Sequence, residues 1–187
     1  MLARPSTLLS LTALIAAQIA NAVDIRVYQT SDNCNANTFI QCSNVNTAAC
    51  CTTNNGRSAF VTGNFGTVTA YDVQACGNSG PRVRTSAGRC LWPGVNFVIR
   101  AVKWEPVAFP SSARQSEVVS DGPDSEQTAS ASAQCLEANS FGYIDEVTGE
   151  EVIYTIPDDR RAAILDAVGK GDRAALKANS LGLDRVQ

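Results

Sequence analysis

Apolar and polar positions alternate, or mass into β-branched runs, at four places in the first half of the chain. Asp24-Ile25-Arg26-Val27-Tyr28 and Gly66-Thr67-Val68-Thr69-Ala70-Tyr71 each read as a strand ending on tyrosine. Arg57-Ser58-Ala59-Phe60-Val61 and Val98-Ile99-Arg100-Ala101-Val102-Lys103-Trp104 each read as a closing strand. Tyr28 precedes Ala59 by 31 residues and Tyr71 precedes Ala101 by 30, so one pattern is written twice. Short strands at this spacing predict two supersecondary units that bury their faces on each other in a β-sandwich. Further on, Phe141 to Glu146 and Glu150 to Ile156 flank Val147-Thr148-Gly149 and predict a hairpin. Pro157-Asp158-Asp159 opens a helix to about Val168, Gly169-Lys170-Gly171 stops it, and Asp172 caps a second helix through Ala178.

The start of the chain has another character. Arg4 is its one basic residue, an apolar run follows from Leu8 to Ile19, and Ala20-Asn21-Ala22 has a small-x-small cleavage pattern. A run of this length is too short for a bilayer, which needs roughly twenty residues, so residues 1–22 are expected to be a secretory signal peptide. The expected domains are then the signal peptide at 1–22, a cysteine-rich β core at 23–105, an acidic Ser/Ala-rich linker at 106–134 and a small α+β tail at 135–187.

Seven cysteines in a secreted chain without histidine predict a disulfide framework rather than a zinc site. Six cysteines allow 15 connectivities. The expected pairs are Cys34 with Cys42 and Cys76 with Cys90, each closing a loop within one copy of the pattern. Cys50 and Cys51 are adjacent and are not expected to bond each other; one of them, Cys51, is assigned to Cys135, tying the tail to the core and leaving one thiol over.

Charge is unevenly spread. Residues 23–105 hold seven Lys/Arg and four Asp/Glu; residues 106–187 hold seven and fourteen. Between Gln115 and Asp159 there are eleven acids and no base, a block expected to lie in solvent or against the mildly basic core. Arg160-Arg161 reads as two exposed arginines at a helix start, with a dibasic processing site as the other reading.

A strand ending in tyrosine, a bend and a closing Ser-Ala-x-Val-like strand, repeated within about eighty residues, resembles the paired Greek-key units of βγ-crystallin-like proteins. Asn54-Asn55-Gly56-Arg57-Ser58-Ala59 is similar to that family's calcium signature, with Ala59 where the family has serine. The resemblance implies a mainly β, disulfide-stapled, two-motif sandwich with a hairpin-and-helix appendage. It also implies a weak calcium site at Asn54, Asn55 and Ser58, calcium being the one cofactor considered and none being required. The leader, the cysteine order and the closing aromatic strand resemble fungal small secreted cysteine-rich proteins, a group of candidate effectors.

The absence of histidine excludes Ser-His and Cys-His nucleophile systems. Paired carboxylates remain, with Asp145, Glu146, Glu150 and Glu151 as the candidates for a secreted hydrolase. Solvated surface is the preferred reading of those acids, and no phosphate loop or basic aromatic surface suggests nucleic acid. The chain is therefore expected to be a secreted, extracellular, non-enzymatic effector-like protein. Its expected partner is a host or other extracellular protein or a cell-wall polysaccharide, with no nucleic acid and no membrane.

Overall fold

The structure is a computed structural model that describes residues 22–47, 49–63, 65–77, 80–106, 117–119 and 134–186. Residues 1–21 of the expected signal peptide and most of the expected linker lie outside the described residues. The strands in chain order are β1 Val23–Tyr28, β2 Thr38–Val45, β3 Ala49–Gly56, β4 Ser58–Val61, β5 Thr67–Tyr71, β6 Arg82–Ser86, β7 Cys90–Leu91, β8 Ile99–Glu105, β9 Glu117–Val119, β10 Gln134–Glu137, β11 Ser140–Ile144 and β12 Glu151–Thr155. A 3₁₀ turn at Asp158–Arg160 leads into α1 Arg161–Lys170, and α2 spans Arg173–Ser180. The protein is mainly β, with two sheets, three disulfides and a short C-terminal helix pair.

The first sheet has the order β12-β11-β2-β1-β4-β7 and the second β10-β3-β8-β5-β6-β9. The arrangement carries an exchange. β1, β2 and β4 lie together but take β7 beside β4, whereas β5, β6 and β8 lie together but take β3 beside β8. Each four-strand unit thus lends its third strand to the other. In the register Tyr28 stands opposite Ser58 and Tyr71 opposite Ala101. Ser58, not Ala59, is therefore the counterpart of Ala101.

Alternation puts Val23, Ile25 and Val27 of β1 inward and keeps Asp24 and Arg26 partly exposed. From the other sheet come Val68, Ala70, Val83, Val102 and Trp104, all in one cluster with Leu91 and Ile99. Trp104 is the largest fully buried side chain. Its Nε1–H donates to the Phe65 carbonyl at 3.1 Å, and Gly66 beside it has φ +104°, a backbone that side chains rarely adopt.

The cysteines follow the exchange rather than the local loops. Cys34 bonds Cys90, Cys50 bonds Cys76 and Cys42 bonds Cys51. The pairs Cys34–Cys42 and Cys76–Cys90 do not form, and neither Cys50 nor Cys51 reaches Cys135, which is exposed on β10. The reason is placement: β7 brings Cys90 to Phe60 of β4, within reach of the bend after β1, and β3 brings Cys50 opposite Lys103, near the bend after β5. Two of the bridges are therefore equivalents of one another, each joining the bend of one unit to the strand lent by the other. The third joins the two sheets.

The tail strands enter both sheets. β10 runs parallel to β3 with Cys135 beside Cys50. β11 pairs with β2, where Gly142 faces Phe39 so closely that a Cβ there would strike the ring. The hairpin forms at Val147-Thr148-Gly149, and Phe141 and Tyr143 stack on Tyr154 at 5.7 and 6.2 Å. Ile164, Ala167 and Val168 of α1 and Leu176 of α2 join the same core. Asp172 caps α2 by accepting from the Ala175 amide at 2.9 Å, and Gly171 ends α1 at φ +68°. Arg160 donates to the carbonyls of Asn179 and Leu181 and Arg161 to that of Ala138, so this pair fastens the helices to the sandwich.

A polar cleft beside the first helix

The residues singled out for calcium sit apart in role. Asn54 and Asn55 are exposed at the end of β3 rather than in a free turn, and the Asn54 Oδ1 accepts from Gln74 Nε2 at 2.9 Å. Ser58 is fully buried; its Oγ donates to the Ser31 carbonyl at 2.7 Å and accepts from the Cys34 amide at 3.1 Å. It ties the bend after β1 to β4. The nearest acid of that bend, Asp32, is held by the Arg57 guanidinium at 2.7 and 3.0 Å. A calcium ion needs six to eight oxygen ligands, carboxylates among them. These residues do not fit that requirement: the serine is committed to the backbone and the carboxylate to an arginine. Calcium is expected to leave the melting temperature unshifted, while Ser58→Ala lowers it equally in calcium and in chelator. A calcium-dependent rise that Ser58→Ala removes would reverse this conclusion.

The hairpin acids are likewise taken up. Glu151 receives a two-pronged bond from Arg26 at 2.7 and 3.0 Å, Asp145 pairs with Lys177 at 3.5 Å, Glu150 with Arg185 at 3.9 Å, and Glu146 with Arg173. Amide donors at Val147 and Thr148, helped by Lys177, hold the Asp145 carboxyl below its usual pKa. That is the opposite of what a general acid needs. These acids clip the hairpin to β1, to α2 and to the end of the chain.

A cleft of about 800 Å³ opens between β3, β10 and α1. Its floor takes Ile40 and Leu165, and its walls take Thr52, Thr53, Asn54, Asn55 and Gln74. Chain order explains little of this meeting: Thr52 Oγ1 reaches across 84 positions to donate to the Leu136 carbonyl at 3.0 Å. Four charged groups flank the opening in two pairs. Arg161 lies 3.5 Å from Glu137, and Lys170 lies 2.6 Å from Asp166, whose hydrogen bond raises the lysine pKa. The charges balance, so the cleft presents hydroxyls and amides rather than a net field.

One group in the wall is unsatisfied. Thr53 is 5% exposed, and its Oγ1 is buried without a hydrogen-bond partner. Leaving a hydroxyl in that condition costs about 1–3 kcal/mol, and native structures rarely accept it without a bound group to complete the pairing. Of these lining residues the sequence marks Asn54 and Asn55, for calcium; Thr53, Gln74, Arg161 and Lys170 carry no local mark of a cleft, because they reach it from separate elements.

Neither the curated proteins nor the solved structures contain a match to this chain. One protein family, ARB_05566_N, described as an N-terminal domain, matches residues 24–139. The matched region runs from β1 through β10 and spans more than half of the 187 residues. Three disulfides in so small a β domain are consistent with an extracellular protein. The chain belongs to the ARB_05566_N family, whose domain covers ten of its twelve strands and leaves β11 and β12 of the first sheet outside.

Proposed function

We propose that the chain is a secreted, non-enzymatic, effector-like protein that binds a cell-wall polysaccharide in the cleft between β3, β10 and α1. The observation that carries this reading is the lining: Thr52, Thr53, Asn54, Asn55 and Gln74, with rim charges that cancel. Threonine hydroxyls and asparagine and glutamine amides both donate and accept, as the hydroxyls of a sugar chain do. A charged partner would call for an excess of one sign, which this cleft lacks. The buried Thr53 hydroxyl adds a group that a ligand oxygen would complete. The same reading includes a βγ-crystallin-like double motif as scaffold, supported by the exchanged third strands and by the matched positions of Tyr28 and Tyr71.

The test is calorimetric titration of the oxidised protein with soluble β-glucan and chitin oligosaccharides. Saturable binding is expected, weakened at least roughly tenfold in Asn54→Ala/Gln74→Ala, which removes two direct polar contacts. Binding that the double variant retains in full, or no binding to any neutral oligosaccharide at millimolar concentration, would overturn the assignment.

A further inference from the structure

Besides Thr53, the buried polar side-chain atoms lacking a hydrogen-bond partner among the described residues are Thr69 Oγ1, Asp72 Oδ1, Arg82 Nε and Arg84 Nε. All four belong to β5, β6 or the residue after β5. The register shows what they share. Thr69 stands opposite Arg84 on β6 and opposite Lys103 on β8, and Tyr71 stands opposite Arg82 and Ala101. Residues directly opposed across neighbouring strands lie on one face. Thr69, Tyr71, Arg82, Arg84 and Lys103 therefore share a face of the second sheet, the reverse of the one that sends Val68, Ala70, Val83, Val102 and Trp104 into the core.

Sheet geometry fixes the spacing. Arg82 and Arg84 are about 6.7 Å apart along β6, and Arg84 and Lys103 are separated by two strand spacings, about 10 Å. Three cationic side chains thus surround Thr69, which is 1% exposed. Lys103 is neutralised by Glu105 at 2.9 Å. Glu117 of β9 stands opposite Arg84 in the register, yet neither Arg82 nor Arg84 takes part in any ion pair among the described residues. The Tyr71 phenol completes the set: burial, with Glu105 in the same sense, raises its pKa, while Lys103, Arg84 and Arg82 act in the opposite sense. At neutral pH it is an O–H donor.

We propose that this face is an oxyanion-binding site, in which Arg82 and Arg84 supply charge and Thr69 and Tyr71 supply hydroxyl donors to a sulfate or phosphate group. Thr69 Oγ1, Arg82 Nε and Arg84 Nε are buried donors left without partners on this face, and a tetrahedral anion has the acceptors they lack. Arginine's rigid fork suits such an ion better than a lysine point charge. Asp72 Oδ1 is an acceptor and takes no part. None of these residues lines the polar cleft, so the site stands or falls independently of the polysaccharide reading.

The experiment is an amide and arginine side-chain NMR titration of the oxidised chain with sodium sulfate against sodium chloride at constant ionic strength. A melting curve would not serve, because sulfate stabilises folded proteins generally by exclusion from their surface. Saturable shifts confined to β5, β6 and Lys103 are expected with sulfate and not with chloride. Arg82→Gln/Arg84→Gln should weaken them at least roughly tenfold. Parallel titrations with phosphate and with glucose 6-sulfate separate the sources: equal affinities indicate the free ion, and tighter binding of the ester indicates a sulfated sugar. Identical shifts with chloride, or an unchanged titration of the double variant, would overturn the site. Should that variant not fold, Arg84→Lys keeps the charge and removes the fork, and undiminished affinity in it would count equally against the proposal.

Discussion

Full reduction of the oxidised protein is expected to erase its cooperative melt. The three bridges span 56, 9 and 26 residues of sequence. By chain entropy such loops are worth about 4, 2.6 and 3.5 kcal/mol, against total stabilities of about 5–15 kcal/mol for ordinary domains. The core does not have the bulk to make up the loss, since alanines, valines and cysteines fill much of it: Ala49, Cys51, Ala59, Val61, Val68, Ala70 and Ala87 are all among its members. Small domains of this make-up depend on staples. Calorimetry with and without reductant measures the effect. A reduced protein that melts cooperatively within a few degrees of the oxidised one would show that packing alone suffices. Pairwise removal should rank the bridges, with Cys34→Ala/Cys90→Ala costing most.

Trp104→Ala is expected to cost about 3–5 kcal/mol, the range for emptying a large aromatic site in a core. For a domain of this size that is a fall of roughly 10–15 °C in Tm. Two losses combine there: the ring packs against the inward residues of both sheets, and the Phe65 carbonyl loses its donor. Trp104→Phe separates them, since it keeps most of the volume and gives up the hydrogen bond, for about 1 kcal/mol. Trp92→Ala is the control, because that indole is 47% exposed and surface changes usually stay within about 0.5 kcal/mol. A Trp104→Ala protein that melts within two degrees of the parent would mean that the two sheets do not depend on this residue.

Strands in which apolar and polar residues alternate can be read directly from the pattern. β1, β4, β5, β8, the hairpin and both helices, with the Asp172 cap, all lie where alternation and capping signals put them. β2 and β3 show no such alternation, although β2 buries Phe39, Ile40 and Val45. Their other buried positions include Thr38, Gln41, Cys42, Cys51 and Thr53, whose burial nothing in the local pattern announces. Gln41 shows why it can sit inside: its Oε1 accepts from Arg26 and its Nε2 donates to Ser43. The disulfide map failed for a related reason. Local loops were the natural guess, but the exchange of β3 and β7 between units is a property of pairing between distant strands, and no window of sequence contains it. The acid-rich stretch misled in the same way. Counted alone it has no base, yet Arg26, Arg161, Arg173, Lys177 and Arg185 come to it from before and after. The cleft was the least legible feature, since its walls come from β3, β10 and α1, and only Asn54 and Asn55 had been noticed, for a different ligand.

The reciprocal bridges also change what a broken backbone means for this molecule. Cys34 and Cys50 lie before the β4–β5 connection, and their partners Cys90 and Cys76 lie after it. A protease that cuts that connection meets a closed covalent ring instead of an open string. The two fragments stay joined twice over, each still gripping a strand of the other, and one scission leaves a nicked protein of unchanged mass apart from the water added.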